Sequence, residues 1–196
     1  MPDHFHRAGP KRAYAATRPL EYNSYAATTE SARPMKTLFL VRHAKSSWED
    51  AALPDKERPL NERGIRDAPR MGKRLAKRDA RADLILSSPA RRALTTAQII
   101  ARAVGYQRKN IVVDDRLYPG AANRIFQLIR RLDKALDRVM IVGHDPALTE
   151  LAHRLSSEIT HLPTGAVAEF TFDAKSWPMV GKSSLAAVRL ERPKKS

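Results

Sequence analysis

The chain has 196 residues, 36 Lys and Arg against 21 Asp and Glu, a net charge of +15, 42% hydrophobic residues and no cysteine. That length suits one domain, or one domain plus an appendage, and the apolar content supports an ordinary core, which excludes global disorder. Without cysteine there is no disulfide scaffold, thiolate-held zinc or iron–sulfur centre, or cysteine nucleophile, and no run reaches the ~18 apolar residues of a membrane helix.

Residues 1–34 mix Pro, Ser, Thr, Tyr and Arg without apolar periodicity, and are expected to be a disordered or non-native extension ahead of Met35. They hold five basic and three acidic residues, so thirteen of the fifteen net charges belong to the rest of the chain. A folded domain is expected over residues 35–191 and a loose end over 192–196. Residues 37–41 read as a buried strand. Ile65, Ala68, Met71, Gly72 and Leu75 then recur at helical spacing opposite Arg66, Arg70, Lys73, Arg74 and Lys77. Asn61 is the expected cap of that helix, and Pro69 predicts a kink or a late start. Residues 83–87 form a second predicted strand, 89–104 a helix ended by Gly105, and 111–113 a third strand. Ile125, Leu128, Ile129, Leu132 and Leu136 mark a third helix, residues 139–143 a fourth strand, and Leu148, Leu151, Ala152 and Leu155 a fourth helix. Two strands, 166–172 and 185–190, follow with no helix between them. This order predicts a three-layer α/β sandwich: a mostly parallel sheet flanked by helices, with one antiparallel edge.

In an open parallel sheet, ligands bind beyond the carboxyl ends of the strands. Three of those ends carry chemistry. Arg42-His43-Ala44-Lys45-Ser46-Ser47 follows the first strand, Ser87-Ser88-Pro89-Ala90-Arg91-Arg92 the second, and Gly143-His144-Asp145-Pro146 the fourth. Ser88-Pro89 and Asp145-Pro146 each read as an N-cap followed by proline at the first helical position, which offers free amides to an anion. Together these segments predict a cationic bowl with His43 at its floor. Such a bowl suits a phosphoryl group, whose transfer depends on positioning and charge neutralisation, and histidine is a competent nucleophile there. A metal held by His43 and His144 is the rival reading, but no carboxylate or third histidine stands at a matching strand end. His4, His6, His153 and His161 receive no role. The basic face of the first helix reads as solvated. No helix-turn-helix, aromatic platform or zinc-finger spacing points to nucleic acid, so neither nucleic acid nor a membrane is an expected partner.

Leu40-Val41-Arg42-His43-Ala44 resembles the signature of the histidine phosphatase (phosphoglycerate mutase-like) superfamily. Pro59-Leu60-Asn61-Glu62-Arg63-Gly64 is similar to the motif that opens its first helix. Ser87-Ser88-Pro89 with Arg92-Ala93 and Thr96-Ala97 resembles its second signature, and Gly143-His144 its second histidine. The resemblance runs from about Met35 to about Phe172. Leu162-Pro163-Thr164-Gly165-Ala166 and the compact size look most like the SixA-type phosphohistidine phosphatase branch. What the resemblance implies is a phosphoglycerate mutase-like fold in which His43 attacks phosphorus and becomes phosphorylated. Arg42, Arg92 and His144 would bind the phosphoryl oxygens, and water would hydrolyse the phosphoenzyme with no metal or cofactor. Lys45 and Ser46 are expected to bind substrate beside them.

Two departures from the family pattern matter. Ala44 stands where glycine is usual, and an ordinary backbone conformation is expected for it. No secure general acid is found: Asp114 and Asp115, just before Arg116-Leu117-Tyr118, are the candidates, with Glu57 behind them. A missing acid favours P–N over P–O substrates. An alkoxide is the anion of a group as weakly acidic as water, with a pKa of about 16, whereas protonated imidazole has a pKa of roughly 6.5. General acid catalysis is worth ~10²–10⁴-fold to an ester. The expected function is therefore a phosphatase acting on protein phosphohistidine, with a phosphotransfer or receiver domain as partner. The lack of cysteine suits a reducing compartment, and a cytoplasmic location is expected. A broad small-molecule phosphomonoesterase and a non-catalytic phosphate-binding module remain as alternatives.

Overall fold

Strand geometry sends successive side chains to opposite faces, and here each face carries its own layer of helices. The computed structural model describes residues 35–194. In it, β1 (Met35–Arg42) turns Leu38 and Leu40 to one face and Phe39 and Val41 to the other, all four fully buried. The remaining strands are β2 (Leu84–Ser87), β3 (Val112–Val113), β4 (Arg138–Gly143), β5 (Val167–Asp173) and β6 (Leu185–Glu191). They form one sheet in the order β3-β2-β4-β1-β5-β6. The pairs among β3, β2, β4 and β1 are parallel, and those of β5 with β1 and β6 are antiparallel. Antiparallel neighbours need no crossover, which is why β6 can follow β5 without an intervening α-helix.

Helices α1 (Glu62–Lys77) and α2 (Arg91–Ala103) place Met71, Leu75, Ala97 and Ile100 over Phe39, Val41, Ile85 and Met140. On the opposite face, α3 (Ala122–Arg130) and α4 (Ala147–Leu155) place Ile125, Ile129, Leu148 and Leu151 over Leu38, Leu40 and Ile141. The expected three-layer sandwich with one antiparallel edge is the architecture observed.

Four local expectations are corrected. Helix α1 begins at Glu62 and runs on through Pro69, so the proline does not delay its start; Asn61 caps it as expected, its Oδ1 accepting from the Gly64 N–H at 2.9 Å. Ile65 is exposed, because the first turn overhangs the core and borders a surface hollow beside Leu53 and Leu60. Helix α3 stops at Arg130 and does not reach Leu136. Leu132 and Leu136 still pack against the core, but the Leu136 carbonyl takes hydrogen bonds from Trp177 Nε1 at 2.8 Å and Lys36 Nζ at 3.0 Å. The N-caps of α2 and α4 are Ala90 and Pro146, without side-chain caps. Ser88 and Asp145 are not the N-cap residues: Ser88 Oγ accepts from the Ala90 N–H at 3.2 Å, ahead of the first turn of α2, and Asp145 takes the Thr149 hydroxyl rather than a backbone N–H of α4. The expectation for residues 1–34 lies outside the described residues. Residues 192–194 have no regular structure, and the Arg192 carbonyl accepts from Arg74 Nη1 at 2.8 Å.

Candidate active site

β1 ends at Arg42, so His43 leaves the sheet at its carboxyl edge, where its N–H donates to the Gly143 carbonyl at the end of β4 (3.0 Å). The backbone just behind it is held from α2. The Ala44 N–H donates to Thr96 Oγ1 at 3.0 Å, and the Thr96 hydroxyl donates to the Arg92 carbonyl at 2.7 Å. Ala44 has an ordinary conformation, since Asp79 is the only non-glycine with positive φ among the described residues. The next residue is held by the start of α1: the Asn61 N–H donates to the Lys45 carbonyl at 3.0 Å. A Cβ on Gly64 would lie 2.2 Å from that carbonyl oxygen, so glycine is what permits the approach.

His43 Nδ1 lies 2.7 Å from the Ala44 carbonyl, which can only accept. The ring proton therefore sits on Nδ1, and Nε2 carries the lone pair. Arg92 Nε donates toward that nitrogen at 3.3 Å. The His144 ring stands 4.9 Å away, centroid to centroid. Its Nε2 is 2.7 Å from the Ser88 hydroxyl, and its Nδ1 is buried with no protein partner. Arg42 Nη1 donates to the Leu162 carbonyl at 2.9 Å and lies 2.7 Å from Asp145 Oδ2, while Asp145 Oδ1 accepts from the Thr149 hydroxyl at 2.9 Å. Burial pushes the His43 imidazole down to about 4, with Arg92 adding to the shift. Burial also pushes His144 down to about 3, helped by His43 and Arg92. Both rings are neutral at neutral pH.

All six residues singled out from the sequence, Arg42, His43, Lys45, Ser46, Arg92 and His144, line one cleft of about 270 Å³. His43 and Arg92 are 8% and 6% exposed, whereas Lys45 is open to solvent at the mouth. Ser46 is nearly buried and accepts from Arg58 Nη2 at 3.0 Å. Among the described residues, no three His, Asp or Glu side chains converge to hold a metal ion.

The family model for the histidine phosphatase superfamily (branch 1) matches residues 38–118. A solved structure described as "putative phosphohistidine phosphatase SixA", from Agrobacterium tumefaciens, is 30% identical. The match covers 69% of this chain and 90% of that one, with a TM-score of 0.64. This chain belongs to the histidine phosphatase superfamily, in its SixA-type branch. A second SixA structure, from Nakamurella multipartitia, shares the fold at 22% identity, covering 81% of this chain and 96% of that one with a TM-score of 0.68. An uncharacterized chloroplastic protein of Arabidopsis thaliana is 30% identical over 170 residues, covering 83% of this chain and 78% of its own length.

The candidates for a general acid fall away from the site of this histidine phosphatase. Asp114 accepts from the Arg116 N–H at 2.9 Å and is paired with the Arg116 guanidinium. Asp115 is largely exposed, 4.0 Å from Lys56 Nζ. Neither they nor Glu57 line the cleft. Sequence reasoning missed three residues that matter there. Asp55, from a single 3-10 turn at Asp55–Glu57, accepts at Oδ2 from Tyr118 Oη (2.7 Å) and Arg92 Nη2 (2.8 Å), and at Oδ1 from Arg58 Nη1 (2.8 Å). The Tyr118 hydroxyl, with Arg92 and Arg58, holds the Asp55 carboxyl well below the usual carboxylate range. Arg58 also donates from Nε to the Ser47 carbonyl at 2.9 Å and lies 3.1 Å from the centroid of the exposed Trp48 ring. The one signal in the sequence was position: Asp55 and Arg58 fall between the first strand and the Pro59-Leu60-Asn61 motif, in a stretch without periodicity that tells which charges turn inward.

Proposed function

We propose that this phosphatase hydrolyses protein phosphohistidine through a phosphoenzyme on His43. The observation that carries the reading is a combination. A neutral imidazole whose Nε2 carries a lone pair, met by the Arg92 Nε–H at 3.3 Å, shares a guanidinium-rich cleft with carboxylates that are already ion-paired, Asp145 by Arg42 and Asp55 by Arg92 and Arg58. The nucleophile is ready, but no lining carboxyl is placed to protonate an alkoxide.

In the first step the Nε2 lone pair of His43 forms a bond to phosphorus. The bond from phosphorus to the substrate nitrogen breaks, and its electron pair stays on that nitrogen. If the other ring nitrogen of the substrate is protonated, neutral imidazole leaves. Arg42, Arg92 and His144 hydrogen-bond to the phosphoryl oxygens. A guanidinium has five N–H donors; Arg92 spends two on the Asp55 carbonyl and carboxylate, and its Nε–H, which meets His43 Nε2 in the free enzyme, leaves that nitrogen as the lone pair bonds phosphorus, so three are available to phosphate. In the second step water adds its oxygen to phosphorus, the P–Nε2 electron pair returns to His43, and both water protons leave with dihydrogen phosphate. Lys45 and Ser46 contact the substrate at the mouth and wall of the cleft.

The partner would be a phosphotransfer or receiver domain in the cytoplasm. Among the described residues, no helix is long and apolar enough to cross a membrane. The test is a panel of phosphohistidine proteins and small phosphate esters at matched concentration, with acid-sensitive phosphate trapped on the enzyme. The phosphohistidine protein should be turned over fastest, and His43→Ala should abolish both turnover and trapped phosphate. Faster turnover of alkyl esters than of any phosphohistidine would sink the reading in favour of a small-molecule phosphomonoesterase. An unlabelled His43 with tight phosphate binding would leave a binding module.

A further inference from the structure

The two carboxylates of the cleft are used differently. Asp145 is closed off, with one oxygen on Arg42 and the other on the Thr149 hydroxyl. Asp55 is gripped from three segments: Arg58 from its own loop, Arg92 from α2, and Tyr118 from the turn before α3. Those contacts fill one site on Oδ1 and two on Oδ2. An ionised carboxylate has about four acceptor sites, and 46% of the Asp55 side chain remains exposed. Surrounded by donors, it accepts hydrogen bonds and has no proton to give.

Building on the phosphohistidine reading, we propose that Asp55 accepts a hydrogen bond from the protonated ring nitrogen of the substrate phosphohistidine and so selects an imidazolium leaving group over an alkoxide. The chemistry requires such a group. The substrate ring must keep a proton on the nitrogen away from phosphorus, so that the electron pair of the breaking P–N bond yields neutral imidazole. Asp55 neither gains nor loses a proton in that step. Of the other charged groups around it, Arg58, Arg92, Arg42 across the cleft and Lys56, whose ammonium sits 5.1 Å from the Tyr118 ring centroid, oppose a second cation, while Asp145 is held by Arg42 and Asp115 lies outside the cleft lining, 4.0 Å from Lys56 Nζ. His43 and His144 are neutral. Asp55 is thus the exposed negative group available to an imidazolium, and an opposite charge at this range favours the charged form by ~1–3 pKa units.

The experiment compares Asp55→Asn with the wild-type full chain on two probes: phosphoimidazole, whose leaving group must hold a proton, and p-nitrophenyl phosphate, whose leaving group departs as an anion. Loss of the charge should lower kcat/KM for phosphoimidazole about tenfold more than for the aryl ester. The alkaline limb of the kcat profile for phosphoimidazole should move to lower pH, because the bound ring no longer has a carboxylate to favour its proton. Asp55→Glu should recover part of the ratio. Tyr118→Phe, which keeps the charge, should hold the ratio within about twofold of wild type, and it supplies a second reading if Asp55→Asn unfolds. Equal losses on both probes with an unmoved limb overturn the proposal, since Asp55 would then act only by holding Arg92. So does a Tyr118→Phe ratio that collapses. Wild-type enzyme that cleaves the aryl ester but not phosphoimidazole overturns the phosphohistidine reading itself, and this proposal with it.

Discussion

The proposed role of His43 as nucleophile rests on its two ring nitrogens having separate tasks. The Ala44 carbonyl fixes the proton on Nδ1, and burial keeps Nε2 free of one until the pH approaches 4. In an unfolded chain the same imidazole titrates near 6.5. Between those values the unfolded chain binds more protons than the folded one, so stability must fall as the pH drops from about 6.5 toward 4, and His144 acts in the same direction. Two measurements follow from this single cause. The ring resonances of His43 should titrate well below pH 5.5 in the free enzyme. The urea midpoint should decline across the same interval, with a shallower slope in His43→Ala. A ring that titrates at 6.5 would mean that the residue is solvated, and the account of the nucleophile would fail.

At the scale of elements, the loop carrying His43, Lys45 and Ser46 is clamped between α2 and α1. Its fit to α1 depends on Gly64, where an added methyl meets the Lys45 backbone oxygen at 2.2 Å. Backbone cannot swing aside as a long side chain does, so Gly64→Ala should cost about 1–3 kcal/mol in urea unfolding. It should also lower kcat more than it raises KM, since the loop of the proposed nucleophile moves while the Arg92 guanidinium of α2 stays. An unchanged kcat would show that the loop tolerates the shift. This clamp also explains what was legible in the sequence. Arg42, His43, Arg92 and His144 stand where periodic apolar runs stop, so finding the strands located the site. Asp55 and Arg58 lie in a stretch with no period, and their inward turn is decided by Arg92 and Tyr118, both distant in sequence. The end of α3 was misjudged for a related reason. Leu132 and Leu136 keep helical spacing because both pack, partly buried, against the core, yet such packing also serves a loop whose carbonyl is satisfied by Trp177 and Lys36. Ser88 and Asp145 had the chemistry of N-caps, but Ser88 is shared between His144 and the Ala90 N–H, and Asp145 pairs with Arg42.

For the whole molecule, the question is what the net charge of +15 acts upon. Inside the cleft three guanidiniums face two carboxylates within a few ångströms, Arg42 beside Asp145 and both Arg58 and Arg92 beside Asp55, which leaves one positive charge in excess. Those contacts act at short range and are poorly screened. Outside, Arg63, Arg66, Arg70, Lys73 and Lys77 are exposed along α1, and Lys45 and Lys56 are exposed near the mouth. Charges of that kind act through solvent, over a Debye length of about 10 Å at 0.1 M salt, and they steer encounter more than they hold a bound ligand. A large acidic domain bearing phosphohistidine feels the whole field, whereas phosphoimidazole feels mainly the cleft. Raising salt from about 50 to about 500 mM should therefore lower kcat/KM for the acidic protein roughly tenfold or more, through its association rate. The small substrate should lose only about two- to threefold over the same range. Reversing charge at Lys56, which is exposed and does not line the cleft, should flatten the first profile and leave the slope of the second nearly as it was. If the two substrates fall in parallel, the surface charge is not recruiting the partner, and the excess of Lys and Arg must be explained by something other than substrate capture.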